Sequence, residues 1–292
     1  MHPKKVAASA RRRLIRIWVP AIISTGNLTD ISNSSHYLRN VVRCKAGDTI
    51  KIFNADCGEW LAVISSLDRK NCSITPQKMI RKPYVTASVR LCLAFAPFKA
   101  FSPSFIIQKS TELGVSEILP IISEYTVLRS IQQQKLMEAA VEATEQCERL
   151  DVPYIHDTVQ LDEWILDLIP DKVDRPCAYG QDEAEGKAKI EIMVQEQRAK
   201  QEDLKIGQDI IIVCEPRLDG LTPRALASKF KNGLHRKIIL MVGPEGGFSE
   251  KELQLLQQIP NVYFLNLGPV IMRAETACLA TIAVCKTMFD MW

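Results

Sequence analysis

At 292 residues the chain has room for two domains, or for one large α/β domain with an appendage. A hydrophobic content of 47% with 24% charged residues is that of a globular protein and excludes a disordered or fibrous one. The net charge of +3 conceals an asymmetry, because residues 1–50 carry nine Lys or Arg (Lys4, Lys5, Arg11, Arg12, Arg13, Arg16, Arg39, Arg43, Lys45) against Asp30 and Asp48. That stretch therefore balances at +7 and the remainder at −4.

A basic N-terminal module on a mildly acidic body suits contact with a phosphate backbone. A solvated face and an Arg-rich transit peptide are the competing readings. Against the second, the basic stretch runs directly into the strand-like LIRIWVP. No apolar run approaches the roughly 18 residues of a membrane span. The nine cysteines are odd in number and form no C-x-x-C pair, so a soluble protein of the reducing cytoplasm without a metal site is expected.

Along the chain, LIRIWV, DTIKIF, EWLAVISSL and SITP are short apolar runs separated by turn residues, which predicts a small β-rich domain, a barrel, over residues 1–82. Between the first two, SNSSHYLRNVVR reads as a helix capped by Ser34 or Ser35, with Arg39 and Arg43 on one face. After QKMIRKPY the rhythm changes to alternating strand and helix over residues 83–292, implying a mainly parallel sheet. VRLCLAF, SEILPIIS, DIIIVCE, RKIILMVG and NVYFLNLG are the predicted strands. FSPSFIIQKSTELG, closed by Gly114, and IQQQKLMEAAVEATEQCERL, of about five turns, are predicted helices, as is the apolar ETACLATIAVCKTMF. Residues 180–206, rich in mixed charge, read as an exposed insertion without a catalytic role.

The segment RKIILMVGPEGGFSEKEL ends a buried strand in Gly243-Pro244-Glu245-Gly246-Gly247 and starts a helix at once. Ser249 and Glu252 have capping-box spacing, and Phe248 can staple onto Leu253. The three glycines let backbone groups approach a ligand closely. A Walker A loop is excluded, since Phe248-Ser249 follows the last glycine, and the G-x-G-x-x-G spacing of a dinucleotide fold is absent. A plain structural turn remains open for this loop taken alone. A second strand, VYFLNLG, leads into Gly268-Pro269 and then Arg273, Glu275 and Thr276 at a helix start. Two such loops at one sheet edge mark where an open α/β sheet places its ligand.

GPEGGFSEKEL followed by LNLGPVIMRAETA resembles the paired cofactor loops of RsmE-type methyltransferases in the SPOUT superfamily. KSTELGVSEILPIISEYTV, EATEQCERLDVP and HYLRNVVRCKAGDTI resemble that family's other motifs, in the same order. The resemblance implies an α/β fold in which a SPOUT-type trefoil-knot methyltransferase domain follows a smaller N-terminal PUA-like β-barrel, with a homodimer formed through the knots. It implies methylation of uridine N3 in 16S ribosomal RNA, as free RNA or in the assembled small subunit. It also implies an S-adenosylmethionine pocket lined by Gly243, Pro244, Glu245, Gly246, Gly247, Leu265, Asn266, Leu267, Gly268, Ile271, Met272 and Ala277. Arg273, Glu275 and Thr276 become the catalytic candidates, with Glu275 orienting Arg273 or taking the proton, and Arg16, His36, Arg39 and Arg43 the RNA contacts. The chain departs from the family at Val270 and Tyr125, where a basic residue is usual. A non-catalytic RNA-binding protein, and a methyltransferase of another nucleotide or of a small molecule, are the alternatives.

Overall fold

The computed structural model describes residues 14–83, 89–98, 102–168, 209–230, 237–259 and 261–292. The insertion 180–206 and the basic residues Lys4, Lys5 and Arg11 to Arg13 lie outside these. The chain forms two compact units, the first holding the described residues up to 83 together with Glu148–Asp151 and the second holding the rest.

In the first unit β1 (Arg16–Trp18), β2 (Thr29–Asp30), β3 (Thr49–Asn54), β4 (Gly58–Leu67) and β5 (Cys72–Arg81) make a sheet of order β1-β3-β4-β5-β2. Its hydrogen-bonded path runs from β1 to β2 and no pairing between these end strands is among those described, so closure into a barrel is not part of the observed ladder. β5 runs on through QKMIR, which the sequence alone reads as a polar connection, because its ladder with β4 continues to Arg81 although Gln77 to Ile80 are all exposed. Ile17, Ile50, Ile52, Trp60, Ile64 and Ile74 alternate into one core.

The helix expected near residue 35 is present in altered form. A 3-10 turn, Ser32–Ser34, leads into a wide π-helical stretch, Tyr37–Val42, and neither Ser34 nor Ser35 caps it. Asp30 Oδ1 instead accepts from the Ser32 backbone N–H at 3.0 Å, at the entry to the 3-10 turn. Arg43 lies just past the stretch with φ +64°.

In the second unit β6 (Arg90–Phe95), β7 (Glu117–Ile122), β8 (Tyr154–Ile155), β10 (Ile210–Cys214), β11 (Lys237–Val242) and β12 (Val262–Leu265) form a wholly parallel sheet of order β12-β10-β11-β6-β7-β8, with β9 (Val159–Gln160) also on β7. Pro120 lacks the N–H a central strand needs, and around it the outer partner of β7 changes from β8 to β9. Helices cover both faces, so past their charged first residues the central strands β6, β7 and β11 are apolar instead of alternating. Leu91, Leu93 and Phe95 pack with α1 (Pro103–Glu112), α2 (Gln133–Gln146), α4 (Pro223–Lys229) and α6 (Ala274–Met288). Cys92 and Ala94 pack on the other side with α3 (Leu161–Leu168) and α5 (Glu250–Gln257).

Helix α2 ends a turn earlier than the sequence suggests, since Glu148 adopts φ +64° and the chain joins the first unit. Arg16 Nη2 donates to the Arg149 carbonyl at 2.8 Å and Arg81 Nη2 to that of Glu148 at 2.7 Å. At the amino ends of the central strands, Glu117 gathers Lys237, Arg90 and His156. Its Oε2 pairs with Lys237 and lies 2.9 Å from His156 Nε2, and its Oε1 lies 3.5 Å from Arg90 Nη1. No helix of the described residues is long and apolar enough to cross a membrane.

Candidate active site

Because every strand of the second sheet runs the same way, the segments leaving β7, β10, β11 and β12 emerge at one edge. The GPEGG loop follows β11. Gly247 N–H donates to the Pro244 carbonyl at 2.8 Å, closing a tight turn in which Gly247 has φ +71°. Ser249 then caps α5 in a complete capping box, with Glu252 Oε2 accepting from the Ser249 backbone N–H at 2.8 Å. Phe248 is fully buried in the same cluster as Leu253, and a Cβ on Gly243 would stand 3.1 Å from its ring.

Two neighbouring segments hold this loop. From β7, the Ser123–Thr126 turn is closed by its own side chains, and Glu124 N–H donates to Glu252 Oε1 at 2.8 Å. From β10, the buried Glu215 carboxylate accepts from Arg217 Nε and Nη2 at 2.8 and 2.9 Å, and Arg217 Nη2 donates to the Phe248 carbonyl at 2.6 Å. Burial alone would raise the Glu215 carboxyl, but the hydrogen bonds and charge of Arg217 hold it below its ordinary value. A Cβ on Gly247 would lie 2.5 Å from Arg217 Nη2, so glycine is required there for space as well as for φ. Reading along the chain misses Glu215 and Arg217. The signal available is an acid set immediately after the all-apolar IIIVC.

The second loop follows β12. Asn266 N–H donates to the Leu221 carbonyl at 3.0 Å, Gly268 N–H to Asn266 Oδ1 at 2.8 Å, and Gly268 adopts φ +114° with no atom within 4 Å of where a Cβ would stand. Leu265 is buried, Leu267 and Met272 are half-buried, and Ile271 is exposed. Among the described residues the backbone N–H groups of Val270, Ile271 and Met272 have no partner. Helix α6 begins at Ala274 without a side-chain cap, in contrast with α5.

Arg273 is exposed at the N-cap position and has no ion pair or hydrogen-bonding side-chain partner among the described residues. Glu275 is buried in the first turn, Thr276 is exposed and Ala277 half-buried. Glu275 makes no ion pair with Arg273, so the expected orientation of the arginine by this carboxylate is not found. The first turn of the helix carries Glu275 inward while the N-cap residue faces water.

The N-terminal candidates separate. His36, Arg39 and Arg43 are exposed in the first unit. Arg16 is not an available RNA contact: its side chain is 3% exposed, its Nε lies 2.6 Å from Glu59 Oε1, and its guanidinium sits 3.9 Å over the Phe53 ring. It ties the sheet to residues 148–151, because a buried cation must be paired.

The chain matches the RNA methyltransferase domain over residues 86–206 and 181–286, and the RNA methyltransferase PUA domain over residues 32–77. It is 27% identical over 270 residues to the ribosomal RNA small subunit methyltransferase E of Rickettsia conorii, which covers 92% of this chain and 93% of that one. Two solved structures are similar in fold, each covering 94% of this chain and 98% of its own. One is a methyltransferase from Legionella pneumophila in complex with the bound cofactor SAM, at TM-score 0.70 and 23% identity. The other is a ribosomal RNA small subunit methyltransferase E from Neisseria gonorrhoeae bound to S-adenosyl methionine, at TM-score 0.68 and 22% identity.

Proposed function

The chain belongs to the RNA methyltransferase domain family, and from that membership we propose that it transfers a methyl group from S-adenosylmethionine to N3 of a specific uridine in 16S ribosomal RNA. The observation carrying this reading is that the GPEGG loop and a second glycine loop leave the parallel sheet at the same edge, the second ending in an exposed Arg273 that has no side-chain partner among the described residues. The loop residues fit the cofactor: space is open at Gly268, and the unpaired peptide groups of Val270 to Met272 can grip a ligand without side chains. Gly243 to Gly247 would hold it from one side, and Leu265 to Gly268 with Ile271, Met272 and Ala277 from the other. Bound there, it supplies an electrophilic sulfonium methyl.

Uracil N3 carries a weakly acidic imide proton, so its attack needs that proton removed and the resulting anion stabilised. Holding the reacting atoms in line supplies roughly 7–11 kcal/mol in favourable cases. Arg273, with the uncapped start of α6 behind it, places positive potential where charge develops on the uracil carbonyl oxygens. Glu275, buried in the first turn, is the local carboxylate for the proton, and the Thr276 hydroxyl fixes the base by hydrogen bonding.

Because N3 is paired in a duplex, the target is single-stranded or flipped. His36, Arg39 and Arg43 hold its flanking phosphates, on free RNA or on the assembled subunit. The knot is part of this reading. Its support is the strand order, in which the chain returns from β11 across β10 to place β12 outside it. A cytoplasmic homodimer is likewise proposed; the partly uncovered Leu279, Ala283 and Val284 of α6 support the pairing, and the eight free thiols of the described residues support the compartment. Mass mapping of modified uridines in 16S RNA, with and without the protein, tests the activity. An unchanged pattern would end this assignment.

A further inference from the structure

Beside the GPEGG loop stands an aromatic side chain to which the family's motifs give no role. Tyr125 is 46% exposed although its backbone is held firmly. Its neighbours Ser123 and Thr126 are 2% and 3% exposed and hydrogen-bond each other, and Glu124 is tied to Glu252, the residue that completes the capping box of α5. Tyr125 Cβ, Cγ and Cδ2 lie 3.1–3.5 Å from where a Cβ on Gly246 would stand, so a bare glycine lets this side chain lie against the cofactor loop. Among the described residues no other ring and no cation stacks on it. An aromatic face that is rigidly placed, open to water and unoccupied is the form in which proteins receive an unstacked base.

We propose that Tyr125 is the platform on which the target pyrimidine stacks once it has left its own helix. The inference rests on the RNA methyltransferase reading and extends it by naming the residue that holds the base. A base accepting a methyl group from a donor gripped at Gly243 to Gly247 must lie in contact with that loop, and Tyr125 is the exposed ring that touches it. Arg217, half-exposed and anchored by Glu215, lies against the adjacent Gly247 and helps to fix the same rim.

The test uses full-length protein and small subunits lacking the modification, with cofactor affinity from calorimetry and single-turnover methylation followed against subunit concentration. Wild type is measured first, and if it methylates no uridine the functional reading fails before any variant is considered. With an active wild type, Tyr125→Ala is expected to lose roughly 5- to 150-fold in subunit affinity or turnover, the range for removing one stacked base, while binding S-adenosylmethionine normally. Tyr125→Phe recovers most of that loss and Tyr125→Leu does not, because stacking needs the ring and not the hydroxyl. Equal activity of the Leu and Phe variants would overturn the proposal, as would a Tyr125→Ala loss matched by an equal loss of cofactor affinity. So would an unimpaired Tyr125→Ala.

Discussion

Arg273 has an exposed guanidinium with no side-chain partner among the described residues, whereas Arg16 and Arg217 are each committed to a carboxylate. That difference separates a group available to substrate from groups that hold the fold. Arg273→Ala should bind S-adenosylmethionine nearly normally and lose roughly 10²–10³-fold in turnover, the usual cost of deleting one donor to a developing oxyanion. Lysine should restore only part of the rate, since a point charge does not reproduce the guanidinium fork. Single-turnover methylation beside a cofactor titration decides the matter. A full rate in the alanine variant would exclude catalysis by this residue, and cofactor affinity falling in step with rate would make it structural.

At the scale of elements, the two helices that start at the site differ in one respect. Helix α5 closes its first turn with Ser249 and Glu252, while α6 leaves its own open beside Arg273. Ser249→Ala should cost about 1 kcal/mol through loss of the cap. It should also weaken cofactor binding, because the Ser249 hydroxyl accepts from the Glu252 backbone N–H and so positions the residue whose carboxylate holds Glu124. Thermal melting with calorimetry measures the two effects, and a variant destabilised yet normal in affinity would separate the cap from the pocket. In the first unit, the π-helical stretch presents Arg39 and leads into Arg43. Replacing both by alanine should lower the slope of log affinity for RNA against log salt by roughly 0.7–0.9 for each phosphate left without its arginine. An unaltered slope would make this a solvated face.

For the molecule as a whole, the sheet is pinned at its amino edge by Glu117 with Lys237, Arg90 and His156, opposite the edge that bears the loops. Burial would raise the Glu117 carboxyl, but the hydrogen bond from His156 and the charge and hydrogen bond of Lys237 bring it from 4.5 to about 2. A carboxylate depressed in the folded state contributes stability that is present above its ordinary value and is lost as pH falls towards the folded one. The window is therefore pH 4.5 down to about 2, and the contribution is about 3 kcal/mol at 1.36 kcal/mol per unit. Urea unfolding should show Glu117→Gln well below wild type at pH 7, with the gap narrowing towards pH 2. A gap independent of pH would mean that the carboxylate charge is not what stabilises the sheet.

What the sequence determined by itself is local. The apolar strands, the capping box of Ser249 and Glu252 and the two glycine loops are legible because each is specified by residues within a few positions of one another. The same locality accounts for its errors: it cuts β5 short at the stretch QKMIRKPY, whose ladder with β4 runs on to Arg81, and it runs α2 past Gln146 into residues that fold with the first unit. Only the tertiary structure decided which arginines are free. Arg16 meets Glu59 across 43 positions and Arg217 meets the Phe248 carbonyl across 31, pairings that no periodicity encodes. It likewise brought Tyr125 against Gly246, over a hundred positions away, because parallel strands deliver distant loops to one edge and close packing there settles which side chains remain open to a ligand.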